Sequence, residues 1–173
     1  SIHSKAMPYA ITDVNQMSQN KFVNAFGAVY EETPAIAAQA WKKRPFENLS
    51  QLHQAMCAVI SGLSETEQLR LIRAHPELGS KVRMAAASVQ EQSGAGLSQL
   101  SATEYERFNA LNAAYKKKFN FPFVMAIKGY EKTEILAAFE ARLQCSNQEE
   151  RARSLAEITQ IARFRLNDLI TTF

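Results

Sequence analysis

The chain has 173 residues, 46% hydrophobic and 21% charged, with a net charge of +3 at pH 7. That suffices for one domain with a sizeable core, while WKKRP and YKKKF, its only basic clusters, read as solvated helix faces and not as a nucleic-acid footprint. No apolar run approaches the roughly 20 residues of a membrane span and the start lacks a secretory apolar region, so the expectation is a cytoplasmic protein with no membrane or nucleic-acid partner.

Residues 1–10, which begin SIHSKAM, read as a flexible N-terminal tail ahead of one helical domain over 11–173. Phe22, Phe26 and Val29 recur at i, i+4 and i+7 between Ser18 and Glu31 and predict the first clear helix. TPAIAAQAW opens a short helix with Pro34 in its first turn. Leu52, Met56, Val59, Ile60 and Leu63 mark the next, with Ser50 as a plausible N-cap. SETE at 64–67 spells a capping box that starts a helix running to His75. Ser80 to Gln92 is Ala-rich and favours helix, and SGAG at 93–96 stops it.

A second box, SATE at 101–104, opens a helix carrying Tyr105, Phe108, Leu111 and Tyr115. NFPFVMAIKG, apolar and β-branched around Pro122, reads as a short extended segment without a sister strand. KTEILAAFEARL is helical again, and a last helix runs from about Asn147 to Ile170. The class is therefore all-α, a single-domain bundle of about seven to eight helices. Cys57 and Cys145 form no CxxC and read as buried reduced thiols. With only His3, His53 and His75, and no HExxH, the sequence spells no metal site. His53 reads as a surface histidine.

Four places carry candidate chemistry. Pro76 pushes the preceding residue out of the α region, which ends the helix at about Ala74 and leaves His75 just past its C-terminus. The helix dipole there favours a protonated imidazole; a histidine that only caps the last carbonyls fits the same spacing. Ser88, Glu91 and Gln92 share one helix side ahead of the glycines, as a ligand-orienting group or as a polar last turn. The extended stretch buries side chains, yet its backbone groups still need partners, and a planar amide ligand would supply some of them. In the last helix Leu155, Ile158, Ala162, Leu166 and Leu169 form one stripe. Arg165 lies roughly 50° from its middle and Arg163 roughly 110°, so Arg165 is biased inward and must pair with an anion, internal or bound.

In that order, AHPELG, S-x-x-EQSGAGL, FNFPFV and IARFRLNDL on a helical chain resemble the 2-oxo-4-hydroxy-4-carboxy-5-ureidoimidazoline (OHCU) decarboxylase family, from about Ile11 to Ile170. The resemblance implies a cofactor-independent, metal-free decarboxylase, usually a homodimer, that makes (S)-allantoin in urate breakdown. It implies that His75 is the catalytic histidine, with Glu91 as the carboxylate working beside it. Pro76 would line the site, and Ser88 and Gln92 would bind substrate. The backbone of Phe123, Val124, Met125, Ala126 and Ile127 would hold the ureido and ring amides, and Arg165 would contact the substrate. Two departures stand out: Gln90 replaces a basic residue common in relatives, and HPELG stands where HPDLAG is common. Two rival readings of the motifs are a helical hydrolase or lyase on a related ureide and a non-catalytic ligand-binding helical protein.

Overall fold

Short polar caps set where most helices begin in this computed structural model, which describes residues 7–78 and 100–171. Among them are eight α-helices: α1 (Ile11–Asn15), α2 (Gln19–Phe26), α3 (Pro34–Trp41), α4 (Leu49–Ser61), α5 (Glu65–Ala74), α6 (Ala102–Phe119), α7 (Lys132–Arg142) and α8 (Asn147–Leu169). A 3-10 turn, Gly27–Tyr30, follows α2. The described residues contain no strand, only a parallel bridge between Tyr9 and Ile170, in which the Tyr9 N–H donates to Leu169 O and the Thr171 N–H to Tyr9 O. The all-α expectation holds. No described helix is long and apolar enough to cross a membrane. The helix expected over Ser80–Gln92 and its SGAG stop lie outside the described residues.

Both expected capping boxes form. Ser64 Oγ accepts from the Glu67 N–H while Glu67 accepts from the Ser64 N–H; Ser101 and Glu104 do the same. A third, Ser146 with Glu149, starts α8. α4 departs from expectation. Asn48, not Ser50, is its N-cap, accepting from the Gln51 N–H, because buried Leu49 is already the first helical residue.

The contacts cluster in two units, Leu69–Ile158 and the combination of Ser1–Gln68 with Thr159–Phe173. In the latter, Phe22, Phe26, Ile36, Ala40, Leu52, Met56, Ile60, Ala162 and Leu166 form the core, and α3 packs against α2 and α4. Asn15 fastens the chain entering α4: its Nδ2 donates to Phe46 O and its Oδ1 accepts from the Phe46 N–H, both at 2.8 Å. His53 is half-buried and not on the surface as expected; its Nε2 donates to Thr159 O at 2.8 Å. Cys57 and Cys145 are free, but half-buried where full burial was expected.

The unit Leu69–Ile158 is built on aromatic rings. Tyr115 touches Phe119, Phe121, Phe123 and Phe139, and Phe123 stacks on Phe139 with centroids 3.7 Å apart. Along α8 the buried positions are Glu150, Ser154, Ile158, Ala162 and Leu166, continued by Ile170 just past its end. That ladder differs from the expected stripe at its ends, since Leu155 and Leu169 are only half-buried. Each step of four residues overshoots a full turn by about 40°, so the buried line winds around the helix and takes in two polar side chains.

The carboxyls of Glu104 and Glu149 are held below the usual glutamate range, first by the N–H bonds from Ser101 and Ser146 and then by further hydrogen bonds. A carboxyl with a lowered folded pKa contributes stability that is complete above the unfolded value and is lost as pH falls through the folded one. Urea unfolding at stepped pH should therefore show a shallower loss of stability on the acid side for the Glu104→Gln/Glu149→Gln double variant than for the wild type.

Candidate active site

His75 is placed by the stop of α5. Its N–H donates to Ile72 O at 3.1 Å, closing a last tight turn, and its side chain is 5% exposed. Both flanks of the stop are tied down within the same unit. Before it, Arg73 Nε donates to Asn120 O at 3.1 Å. After it, the Glu77 carboxylate accepts from Lys116 Nζ and from Asn112 Nδ2. Pro76 is exposed while Leu78 is buried. The glutamate of HPELG thus pins the turn after the histidine to α6.

Phe121 to Ala126 are buried and belong to neither helix nor strand, ahead of half-buried Ile127. With no neighbouring strand among the described residues, side chains take over part of the backbone bonding. Arg142 Nη1 donates to Val124 O at 2.6 Å, and the Ala126 N–H donates to Glu157 Oε1 at 2.9 Å. Ile127 O accepts from the Tyr130 N–H. The backbone N–H of Met125 and the C=O groups of Phe123, Met125 and Ala126 make no hydrogen bond among the described residues. Part of this backbone is therefore engaged by side chains, and part has no partner among the described residues.

Arg142 is the centre of that support. Its Nε donates to Glu150 Oε1 at 2.7 Å and its Nη2 to Ser154 Oγ at 3.4 Å. The guanidinium lies 4.3 Å from the Phe123 ring centroid and 5.9 Å from that of Tyr115. Tyr115 donates its hydroxyl to Glu150 at 2.6 Å. Burial first, then the bond to Glu150, raises the Tyr115 pKa above that of a free phenol, so the hydroxyl keeps its proton and remains a donor. A buried arginine is offset only by such full pairing.

Arg165 belongs to the other unit and is half-buried there. It pairs with Glu31 and donates Nη1 to Val29 O at 2.9 Å. The helical angle does not separate it from Arg163 in burial, and its partner is a carboxylate of the chain. Arg163, placed further from the stripe, is also half-buried, with Nη1 on Ser50 Oγ. Ser88, Glu91 and Gln92 lie outside the described residues. The pattern of residues did not single out Arg142, Glu150, Glu157 or Glu31. Glu150 and Ser154 do continue the four-residue spacing back from Ile158, and a carboxylate on an apolar line was the available signal.

Removing one member of a buried ion pair costs about 3–5 kcal/mol, whereas an exposed pair contributes about 0–1 kcal/mol. Arg142→Ala should lose several kcal/mol in urea titration. Arg107→Ala, which breaks a half-exposed pair with Glu140, should lose no more than about 1 kcal/mol.

Comparison with known proteins bears on the whole chain. The family model described as OHCU decarboxylase matches residues 15–167. The OHCU decarboxylase of Halalkalicoccus jeotgali is 41% identical over 159 residues, covering 92% of this chain and 90% of that protein. A human protein named as a putative OHCU decarboxylase is 39% identical over 164 residues, covering 92% and 95%. The crystal structure of an (S)-allantoin synthase superposes with a TM-score of 0.79 at 28% identity over 94% of this chain, which spans only 54% of the synthase chain. The chain belongs to the OHCU decarboxylase family.

Proposed function

We propose that this protein decarboxylates OHCU to (S)-allantoin in urate breakdown, without metal or cofactor. The observation that carries this reading is the family match over residues 15–167. The buried histidine and the backbone groups of 123–126 that have no partner among the described residues support it.

The substrate carries a carboxylate and a hydroxyl on one ring carbon. When the bond to the carboxylate breaks, CO2 departs and its electron pair stays on the ring, delocalised into the adjacent unsaturated bond. The hydroxyl proton is then lost as its carbon becomes a carbonyl, and the neighbouring ring carbon gains a proton on one face. Starting from the carboxylate, one proton is taken up overall. Cofactors often serve as electron sinks in such chemistry; here the substrate's own ring serves.

In this reading His75 exchanges protons with the hydroxyl and the ring carbon, and Glu91 holds the ring and the imidazole in register. Ser88, Gln92 and the backbone of Phe123 to Ile127 fix the ureido and ring amides, which lowers the entropy cost of reaching the reactive geometry. Pro76 closes one side of the site. Arg165 anchors a substrate oxygen. The apolar run from Phe121 to Ala126 excludes water, which favours leaving as neutral CO2 over remaining as a solvated carboxylate. The same reading takes the enzyme as a cytoplasmic homodimer whose residues 11–173 act as one domain.

Freshly prepared OHCU supplied to the purified, metal-free protein should give CO2 and (S)-allantoin, followed by circular dichroism. No acceleration over spontaneous decay would sink the activity, and release of ammonia in place of CO2 would point to a ureide hydrolase. His75→Ala should lower kcat by about 100-fold or more, the usual weight of a general acid–base group, while its far-ultraviolet spectrum stays that of the wild type.

A further inference from the structure

The turn that follows the 3-10 helix holds glutamate in a conformation that glycine favours. Glu31 has φ 53° and ψ −127°, and the Thr33 N–H donates to Tyr30 O at 3.1 Å. Residues Tyr30 to Thr33 therefore form a reverse turn of type II′, with Glu31 at the first central position. Glycine dominates that position because a Cβ is strained there. Replacing Glu31 by glycine would relieve the backbone, so what the glutamate contributes must lie in its side chain.

That side chain reaches Arg165. The Glu31 carboxylate pairs with Nη2, and two residues earlier the Val29 carbonyl takes Nη1. One short stretch thus supplies a counter-charge at Nη2, without a hydrogen bond, and one acceptor at Nη1, which together place the guanidinium. Among the described residues the Arg165 Nε–H makes no hydrogen bond, and the side chain is 35% exposed. The group is held along one edge and has donors left on the other.

We propose that Glu31 is a positioning residue that orients Arg165 for the substrate. The inference rests on the reading of Arg165 as a substrate anchor. A guanidinium fixed in plane binds an oxygen without first losing rotational freedom, and that entropy would otherwise be charged against substrate binding. Strain in the turn persists because the ion pair holds it.

The experiment compares wild type, Glu31→Gly, Glu31→Gln and Arg165→Ala by OHCU kinetics, thermal unfolding and nitrogen-15 spectra of the Arg165 guanidinium, assigned by its absence in Arg165→Ala. Glu31→Gly should keep or raise the Tm, raise KM by about tenfold as loss of an orienting partner does elsewhere, and change kcat far less. Its guanidinium should rotate freely where the wild type's is slowed. Glu31→Gln, which keeps the length of the side chain but removes the charge that holds Nη2, should raise KM as Glu31→Gly does. A lowered Tm with wild-type KM in Glu31→Gly, while Arg165→Ala raises KM, would show a purely structural pair and overturn the proposal. Wild-type KM in Arg165→Ala would overturn it too, by removing the anchor. If the wild type does not turn over OHCU, the activity reading fails on its own, and the guanidinium spectra then decide: slowed rotation that Glu31→Gly abolishes upholds the orienting role, and equal rotation in both rejects it.

Discussion

A stretch of buried backbone that belongs to no sheet is the constraint around which the unit Leu69–Ile158 is organised. From Phe121 to Ala126 every residue is buried, yet no strand lies beside them among the described residues. Backbone donors and acceptors cannot be left buried without partners at no cost. The molecule answers with charged side chains. Arg142 takes the Val124 carbonyl and Glu157 takes the Ala126 N–H. Each charge brought inside then needs a counter-group, and Glu150, Ser154 and Tyr115 supply those of Arg142. The polar cluster and the sheetless segment explain each other.

This arrangement has an energetic consequence. A buried ion pair seldom contributes much net stability, because desolvation of two charges offsets their attraction. What the pair adds is a unique arrangement: a chain without a strand partner is free to slip or rotate, and two side chains from α7 and α8 that each take one of its backbone groups forbid that. Phe123 stacks against Phe139 and lies beneath the Arg142 guanidinium. Some N–H and C=O groups of the segment have no partner among the described residues.

Much of this was legible in the sequence where the signal is local. Ser-x-x-Glu spelled two helix starts, and its recurrence at Ser146 spelled a third. Pro76 fixed where α5 stops, because the constraint acts on the neighbouring residue alone. The extended run was recognisable by its β-branched and aromatic content around Pro122. The misses have non-local causes. Ser50 and Asn48 are both good caps, and burial of Leu49 decides between them. His53 looked exposed because its own helix face is polar, but Thr159, 106 residues away, receives its proton. Arg142 gives no periodic signal, since it is buried for the sake of a carbonyl on another segment, and Glu150 signals only by carrying a carboxylate on the buried line of α8. Of the expected site, His75 and the 121–127 run have described geometry in one unit and Arg165 in the other.

The two interior-leaning arginines show how the same residue type is used in two ways. On Arg142, Nε and both Nη atoms are each committed to protein, and the side chain is 7% exposed. With its fork filled, its role is to hold the fold. Arg165 has only its two Nη atoms committed among the described residues and is five times as exposed, at 35%. A guanidinium carries five donors in a fixed plane, so partial engagement leaves directed donors pointing to where solvent, or a ligand, can enter. Angular position on a helix identifies which arginines must find partners. It cannot tell a filled fork from an open one, because the count of acceptors depends on turns far away in sequence, such as the Val29–Glu31 turn that meets Arg165. The difference between a filled fork and a partly filled one is therefore a matter of counting acceptors, and among the described residues Arg142 has the fuller fork.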